Sequence, residues 1–418
     1  MTRKSELNDG TSIATISGLA NLARMIYHGV DHEPLVSALV SQTSTNPRDA
    51  GALMDLSMIV QLTGDRDQGL AIQAAALELN RVYRCVHGTG AGLRVLALFA
   101  PGDFMANTPF DFLLDHSDAT VYYAYTSAGM PLPNVIPDHD VAFLGVAESD
   151  ANNTLLGELA VATKAWPRTV INRHADRIAD MTRDRLWESF QDSPNVLAPR
   201  NARATRAELL RVADGTMPLS TLLPNDLFPI IVRPVDSHAG NGLGKIDDVS
   251  ALGIYLAAGD DDVFYIAPFV DYSSPDGRFR KYRIVFISGC PYIAHLAISD
   301  AWMVHYLNAG MHDDAAKREE EAACMTSFDE GFGARNHAAM KTVATQICLD
   351  YFAIDCAELR DGRLLLFEAG TGMIVHAMDS GDVFPYKQVQ MKKIFTAFQN
   401  MLEAAARKQV LADPQITA

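Results

Sequence analysis

The sequence predicts a multi-domain chain that is α/β in its first half and α+β in its second, on three observations. Its 418 residues exceed what one domain of about 150 residues holds. Apolar spacing is helical before residue 90, then changes to short, near-continuous runs separated by helical stretches up to residue 173, as in a small, largely parallel sheet. Beyond residue 174, strand-like runs joined by tight-turn dipeptides alternate with helices, as in antiparallel hairpins. The expected segments are a helical region 1–90, a parallel-sheet domain 91–173, and two α+β lobes, 174–265 and 266–410.

The elements follow in chain order. Leu53, Leu56, Ile59 and Val60 form one helical stripe, Gly64-Asp65 stops it, and Leu70, Ile72, Ala75, Leu77 and Leu79 form a second. This single helical hairpin is of tetratricopeptide length, but a solenoid needs about three repeats, so it is expected to dock on the rest of the protein. Strands are expected at 93–99, 121–125, 141–146 and 169–172, with helices at 110–114 and 155–166. The Gly88-Thr-Gly-Ala-Gly92 stretch precedes its strand, which makes it a linker and not a dinucleotide fingerprint. Helices at 182–187 and 206–212, a strand at 229–235 and an amphipathic C-terminal helix at 386–407 complete the list.

Composition bounds the function. At 48% hydrophobic and 21% charged the chain buries large cores and is not intrinsically disordered. A net charge of −16, spread along the sequence, argues against nucleic acid or an anionic membrane as partner, yet allows an anionic small molecule in a locally basic cleft. No apolar run approaches the ~18 residues of a spanning helix. The polar opening MTRKSELNDG lacks a signal-peptide core, so a cytoplasmic location is expected. Cys85, Cys290, Cys324, Cys348 and Cys356 show no C-x-x-C spacing and read as reduced, mostly buried residues.

Three segments carry chemistry. After the 229–235 strand comes Asp236-Ser-His-Ala-Gly-Asn-Gly-Leu-Gly244, whose alternate glycines let backbone N–H groups approach a ligand. It lacks G-K-[ST] and is not a P-loop. It reads as a glycine-rich flap between two strands, with Arg233 as the cation beside any phosphate; the plainer alternative is a flexible hairpin turn.

In the second, Asp361-Gly362 joins two strand-like runs. A two-residue turn there pairs Arg360 with Arg363 and, farther out, Asp355 with Glu368, along a face that otherwise holds Ala357, Leu359, Leu364 and Leu366. Cross-strand Cβ atoms lie ~4.5–5.5 Å apart, and two charges ~5 Å apart repel by roughly 3 kcal/mol at an effective dielectric of ~20. A shared proton, an arginine or a cation such as Mg²⁺ must offset that repulsion.

The third is the hairpin 279–296 turning at Ser288-Gly289. Alternation puts Lys281 and Arg283 on one face and Arg280, Tyr282 and His295 on the other. Two cations on one face suit phosphate or carboxylate. In the segment that follows, Ser299, Trp302 and Tyr306 fall near one helical face, with His305 either a ligand group or a structural histidine.

The order and spacing of these pieces, from about Val170 to Phe398, resemble the ATP-grasp superfamily, in its glutathione synthetase-like and ribosomal-protein glutamate ligase-like branch. The 90–170 region is similar to the small domain that precedes such modules, and the helical hairpin to the tetratricopeptide extension of some members. The resemblance implies two α+β lobes, ATP and Mg²⁺ as cofactors, and an amide-forming reaction of a small carboxylic acid with an amine through an acyl phosphate. It implies that Arg185 and Arg233 lie near the nucleotide. Ser237, His238, Gly240 and Gly242 would cradle phosphate, and a hinge including Pro268, Phe269 and Val270 would hold adenine. Arg283 and Lys281 would balance charge in catalysis, and Asp355 and Glu368 would hold Mg²⁺. His295, Ser299, Trp302 and His305 would face the acceptor. Homodimerisation is implied by analogy.

The chain departs from this pattern in three places. Glu368-Ala-Gly370 stands where the family has Glu-x-Asn, which removes one metal oxygen that water or Thr371 would supply. Pro268 replaces an acidic hinge residue, and Arg233 replaces a lysine. A phosphoryl transferase using the same cleft and a non-catalytic, nucleotide-regulated interaction protein are the alternatives.

Overall fold

The computed structural model describes residues 13–410 except 226, 236, 238 and 239. The opening decapeptide and His238 therefore lie outside the described residues. The chain divides into two compact units, one of Met1–Val146, Val161–Arg173 and Leu402–Ala418, the other of Ala147–Ala160 and His174–Met401. No helix among the described residues is long and apolar enough to cross a membrane.

The first unit is built on a six-stranded sheet: β1 (Ala14–Thr15), β2 (Val82–Val86), β3 (Arg94–Phe99), β4 (Thr120–Tyr125), β5 (Val141–Leu144) and β6 (Val170–Ile171), in the order β1-β2-β4-β3-β5-β6. All neighbours are parallel except β2 and β4. The runs expected as strands are β3 to β6. Every residue of β5, and all but the first of β3, is buried, which is why these runs show no polar alternation. β2 was not expected from the sequence; its short Val-Tyr-Arg-Cys-Val run directly follows a helix with no glycine or proline between them. The helical hairpin forms as Ala50–Leu62 and Arg66–Leu79, with Gly64 at φ +103° and Asp65 capping Gln68 N–H. It docks within this unit: the Tyr83 hydroxyl donates to Ala76 O at 2.7 Å, and the Gln73 amide exchanges two hydrogen bonds with Gly102.

The second unit holds two sheets. β7 (Val196–Leu197), β8 (Ala202–Thr205), β9 (Ile230–Pro234), β10 (Gly244–Ile246) and β11 (Val263–Pro268) come first, followed by β12 (Phe279–Ile287), β13 (Cys290–Ser299), β14 (Tyr351–Glu358) and β15 (Leu364–Gly370). An antiparallel sheet β10-β9-β11-β8 packs its apolar face, including Ile230, Val232, Phe264 and Ile266, on helices Arg206–Ala213 and Val249–Ala257. Thr205 and Glu208 form a capping box, and Asp248 caps the other helix; each such cap stabilises its helix by about 1 kcal/mol. The loop between β9 and β10 is the expected flap, with Gly240 and Gly242 at φ +78° and +66°.

The other sheet runs β13-β12-β14-β15-β7. Phe286 and Phe352 stack on one face of it at 4.6 Å. Both of its hairpins carry a bulge, and each bulge revises the expected register. In β12–β13 the turn at Ser288-Gly289 sets Ile287 opposite Cys290, but the register shifts after Ile284, leaving Ala294 extra and pairing Arg283 with His295. His295 therefore shares a face with Arg283, not with Tyr282. In β14–β15 the turn holds three residues rather than two: Gly362 takes φ +84° and its N–H donates to Leu359 O, a type I turn closed by a left-handed glycine. Glu358 then pairs with Leu364 and Cys356 with Leu366, until an extra residue, Phe367, restores the pair Asp355–Glu368. Arg360 does not face Arg363, and Leu365 rather than Leu364 or Leu366 shares the face of Asp355. The segment after β13 is not a helix. Ser299 Oγ accepts from Ala301 N–H at 3.1 Å, a local bond that competes with helix formation, and only a 3₁₀ turn at Tyr306–Asn308 follows.

Candidate functional site

Across the five-stranded sheet, one row of cross-strand neighbours reads His295, Arg283, Asp355, Glu368, each on its own strand. Adjacent strands lie about 4.8 Å apart, so the row brings four ionisable side chains to one face. Asp355 is fully buried. Its Oδ1 accepts from Arg283 Nε at 2.8 Å, and its Oδ2 from Arg283 Nη2 at 3.1 Å and Lys281 Nζ at 2.7 Å. Burial alone would push this carboxyl up; Arg283 and Lys281 instead hold it well below the usual carboxylate range.

Glu368 keeps about 30% of its side-chain surface open. Burial opposes its charge, but Arg183 lowers its pKa, with Lys281 and Arg233 helping against the repulsion of Asp355. Arg183 bonds it directly, and Arg233 Nη1 lies 4.0 Å away. Burial, followed by the nearby Arg183, brings Arg233 down to about 10. Two carboxylates thus sit among four cations from three segments.

Arg185, expected near the nucleotide, pairs instead with Asp180 in an exposed position, and it is Arg183 that reaches Glu368. The signal was present in the sequence. Leu186 and Phe190 are the buried positions of helix Arg183–Phe190, and Arg183, three residues before Leu186, shares their stripe whereas Arg185 does not.

Above the row, Arg233 binds Ser237 at the root of the flap, Nε to Oγ at 3.3 Å. The flap itself is tied down by Tyr255, whose hydroxyl donates to Gly242 O at 2.5 Å, and a Cβ on Gly240 would lie 3.8 Å from Met303 Sδ. Arg233 and Arg203 flank Tyr265 in the four-stranded sheet, and Arg203 pairs with Asp150. At the expected hinge, β11 ends at Pro268, with Phe269 and Val270 partly buried after it. Phe269 meets the Trp302 ring edge-on at 5.8 Å, and Lys245 Nζ sits 4.8 Å from the centre of the Phe269 ring. Lys245 was not foreseen as a neighbour of the hinge.

On the acceptor side, burial together with Arg283 and Lys387 drives the His295 pKa well down. Burial and Lys281 also lower His305, so two neutral imidazoles flank the cations. Ser299 is buried at the end of β13, and His305 Nδ1 accepts from Leu307 N–H.

A further carboxylate was missed entirely. Glu148 approaches the end of β15, where a Cβ built on Gly370 would lie 2.3 Å from its Oε1. Burial, reinforced by the Glu368 charge, pushes Glu148 up to about 8 against the Thr371 N–H. Nothing in the sequence around residue 148 marks it; only the tertiary fold delivers it.

Asp355 and Glu368 offer oxygen donors, which suit Mg²⁺. Each carboxylate oxygen carries two lone pairs, so the bonds to Asp355 do not exhaust it. Thr371 Oγ1 is buried without a hydrogen-bond partner in the structure. The residues present fit a divalent cation that arrives with phosphate.

No family model matches the chain, and no curated protein matches it. Solved structures similar to it include VanG D-Ala:D-Ser ligase from Enterococcus faecalis (11% identity, 74% of this chain and 99% of that one, TM-score 0.44). The D-alanine–D-alanine ligase from Coxiella burnetii gives 10% identity over 77% of this chain and 97% of that one, at a TM-score of 0.45. A RimK domain protein ATP-grasp from Sphaerobacter thermophilus gives 12%, 74% and 99%, at 0.39. Superpositions this loose fix neither chemistry nor substrate.

Proposed function

We propose that the chain is an ATP-dependent carboxylate–amine ligase of the ATP-grasp kind. The observation that carries the reading is the pair Asp355–Glu368 on one sheet face, ringed by Arg183, Arg233, Lys281 and Arg283 and served by a glycine-bearing flap. Carboxylates hemmed by cations suit a polyanion that carries a divalent metal, because phosphate oxygens engage the cations and the metal engages the carboxylates.

In this reading Asp355, Glu368 and Thr371 hold Mg²⁺, which supplies charge neutralisation for the phosphates. The N–H groups about Gly240 and Gly242 cover the phosphates, with Ser237 and Arg233 beneath them. The segment around Pro268, Phe269 and Val270, with Lys245 over Phe269, takes the base. Arg283 and Lys281 stabilise negative charge as a phosphoryl group passes to a substrate carboxylate. The substrate amine then attacks the acyl phosphate, the C–N bond forms, phosphate leaves, and a proton is lost from nitrogen. His295 and His305, held neutral, lie on the side where the amine would enter, with Ser299 and Trp302 beside them.

The test is ADP release from MgATP across pools of carboxylic acids and amines, with mass spectrometry of each mixture. ADP together with a mass of acid plus amine minus water supports the ligase. A stable phosphorylated product that needs no amine replaces it with a phosphoryl transferase, and absence of ATP binding removes both.

A further inference from the structure

A second cluster of ligating side chains belongs to the first unit. Cys85 Sγ, His87 Nε2 and an Asp111 carboxylate oxygen all lie within 4.8 Å of one another. Cys85 faces inward from β2, and the exposed Val86 faces outward. The pairing continues one residue beyond the strand, His87 N–H donating to Ala119 O at 2.8 Å, so His87 returns to the face of Cys85. Helix Phe110–Leu113 delivers Asp111 to that face.

The separations fit a shared metal better than a hydrogen-bonded trio. His87 Nε2 is 3.4 Å from Asp111 Oδ1 and 3.9 Å from Cys85 Sγ, and the first exceeds a well-formed N–H···O bond. Tetrahedral zinc, with Zn–N of about 2.0 Å and Zn–S of about 2.3 Å, sets N and O about 3.3 Å apart and N and S about 3.6 Å. The same ring nitrogen faces both partners, so the trio is not a nucleophile relay, which uses both nitrogens of its histidine. Charge points the same way. Asp111 is 5% exposed, and among the described residues it has no lysine or arginine ion-pair partner, only His87. A divalent ion would balance this carboxylate and a Cys85 thiolate together.

The groups that orient metal ligands are also in place. The Tyr123 hydroxyl donates to Asp111 Oδ1, and Leu19 N–H to Oδ2 at 2.6 Å, bonds that fix a ligating carboxylate. Oδ1 keeps a second lone pair for a metal. Gly18, at φ +86°, lets the 17–19 turn lie against Cys85 and Asp111.

We infer that Cys85, His87 and Asp111 form a Zn²⁺ site, with Sγ, Nε2 and Oδ1 as ligands and water in the fourth position. Thiolate, imidazole and carboxylate together suit zinc, whereas Mg²⁺ takes oxygens. Binding releases the thiol proton to solvent, and the ion clamps β2 to helix Phe110–Leu113. His87 keeps 13% of its side chain exposed, which gives water a way to the fourth position.

The test adds Co²⁺ and then Zn²⁺ to the reduced, chelator-treated full-length protein. A single equivalent of Co²⁺ is expected to give a thiolate-to-metal band in the near ultraviolet with tetrahedral bands in the visible, both bleached by Zn²⁺. Cys85→Ala is expected to abolish the thiolate band. His87→Ala is expected to weaken Zn²⁺ binding by more than the roughly 10–100-fold that loss of an outer-shell partner costs. Zn²⁺ is expected to raise the melting temperature of the wild type but not of His87→Ala, a variant that keeps the question measurable if Cys85→Ala does not fold. Cys290→Ser and Cys348→Ser, at exposed cysteines, are expected to retain the band. No thiolate band in the wild type, its loss in either exposed-cysteine variant, or unchanged Zn²⁺ affinity in His87→Ala overturns the inference. The nucleotide reading stands apart from every one of these results, because oxygen ligands at Asp355 and Glu368 give no thiolate band.

Discussion

Arg283 holds Asp355 across adjacent strands with two parallel bonds, Nε to Oδ1 at 2.8 Å and Nη2 to Oδ2 at 3.1 Å. Asp355 is fully buried, so the charge balance of the centre depends on it. Asp355→Asn leaves Lys281 and Arg283 without their counter-charge, and breaking a buried pair costs about 3–5 kcal/mol. Urea denaturation is expected to show a loss of that order together with loss of turnover. Arg283→Lys keeps the charge but not the fork, and is expected to fall between wild type and Asp355→Asn in stability. A wild-type urea midpoint for Asp355→Asn would rule out this account.

Arg183 and Arg185 differ by two positions and by their surroundings. Arg183→Ala removes the direct partner of Glu368 and is expected to raise the ATP dissociation constant by roughly tenfold or more, as loss of a charge-assisted bond does. Arg185→Ala breaks an exposed pair with Asp180 worth about 0–1 kcal/mol, and is expected to bind ATP like wild type. Nucleotide titrations of the two variants check the assignment; equal effects would remove Arg183 from the site.

Glu368→Gln preserves volume in a side chain that is partly open. It is expected to leave the melting temperature within a few degrees while turnover falls at least about a hundredfold, the scale for removing a charged group aimed at the transition state. Retained ADP release by this variant would end the metal role of Glu368.

The pKa of His295 is pushed well below its ordinary value, by burial first and then by Arg283 and Lys387. For a histidine so depressed, the stabilising contribution is complete above the unfolded value of about 6.5 and is lost as pH falls through the folded value, at about 1.4 kcal/mol per pH unit. Unfolding free energies of wild type and His295→Gln, measured at pH 7 and pH 5, are expected to differ in slope, with wild type losing more on acidification. Parallel pH profiles would contradict it.

Tyr255 tethers the flap, its hydroxyl donating to Gly242 O at 2.5 Å. Tyr255→Phe removes a bond worth about 1 kcal/mol, and is expected to weaken ATP binding by a few-fold. In Gly242→Ala, φ of +66° and a Cβ 2.7 Å from Pro234 Cδ add strain of about 1–2 kcal/mol. Calorimetric titration with ATP reads both variants. Unchanged affinity in both would detach the flap from the nucleotide.

Much of this architecture is legible in the residues, and the exceptions have two causes. Periodicity marks the helical hairpin, the strands of the parallel sheet and both long β-hairpins, because burial of one face imposes a period on each. The pairing of Asp355 with Glu368 was also readable, although through a two-residue turn that does not exist; the longer turn and the extra Phe367 offset each other. No such cancellation occurs at Ala294, where the bulge moves His295 to the face of Arg283. Bulges are local departures that simple alternation does not encode. Glu148 was illegible for a different reason: its meaning comes from Gly370 and Thr371, 223 positions from Glu148 in the latter case, and neither neighbour is apparent along the chain.

The contact between Glu148 and Gly370 also ties together two positions far apart in the sequence. A Cβ at 370 would lie 2.3 Å from Glu148 Oε1, so a side chain gained there obliges the glutamate's carboxylate to swing aside. The residue that position 370 tolerates therefore depends on how freely the side chain at 148 can move.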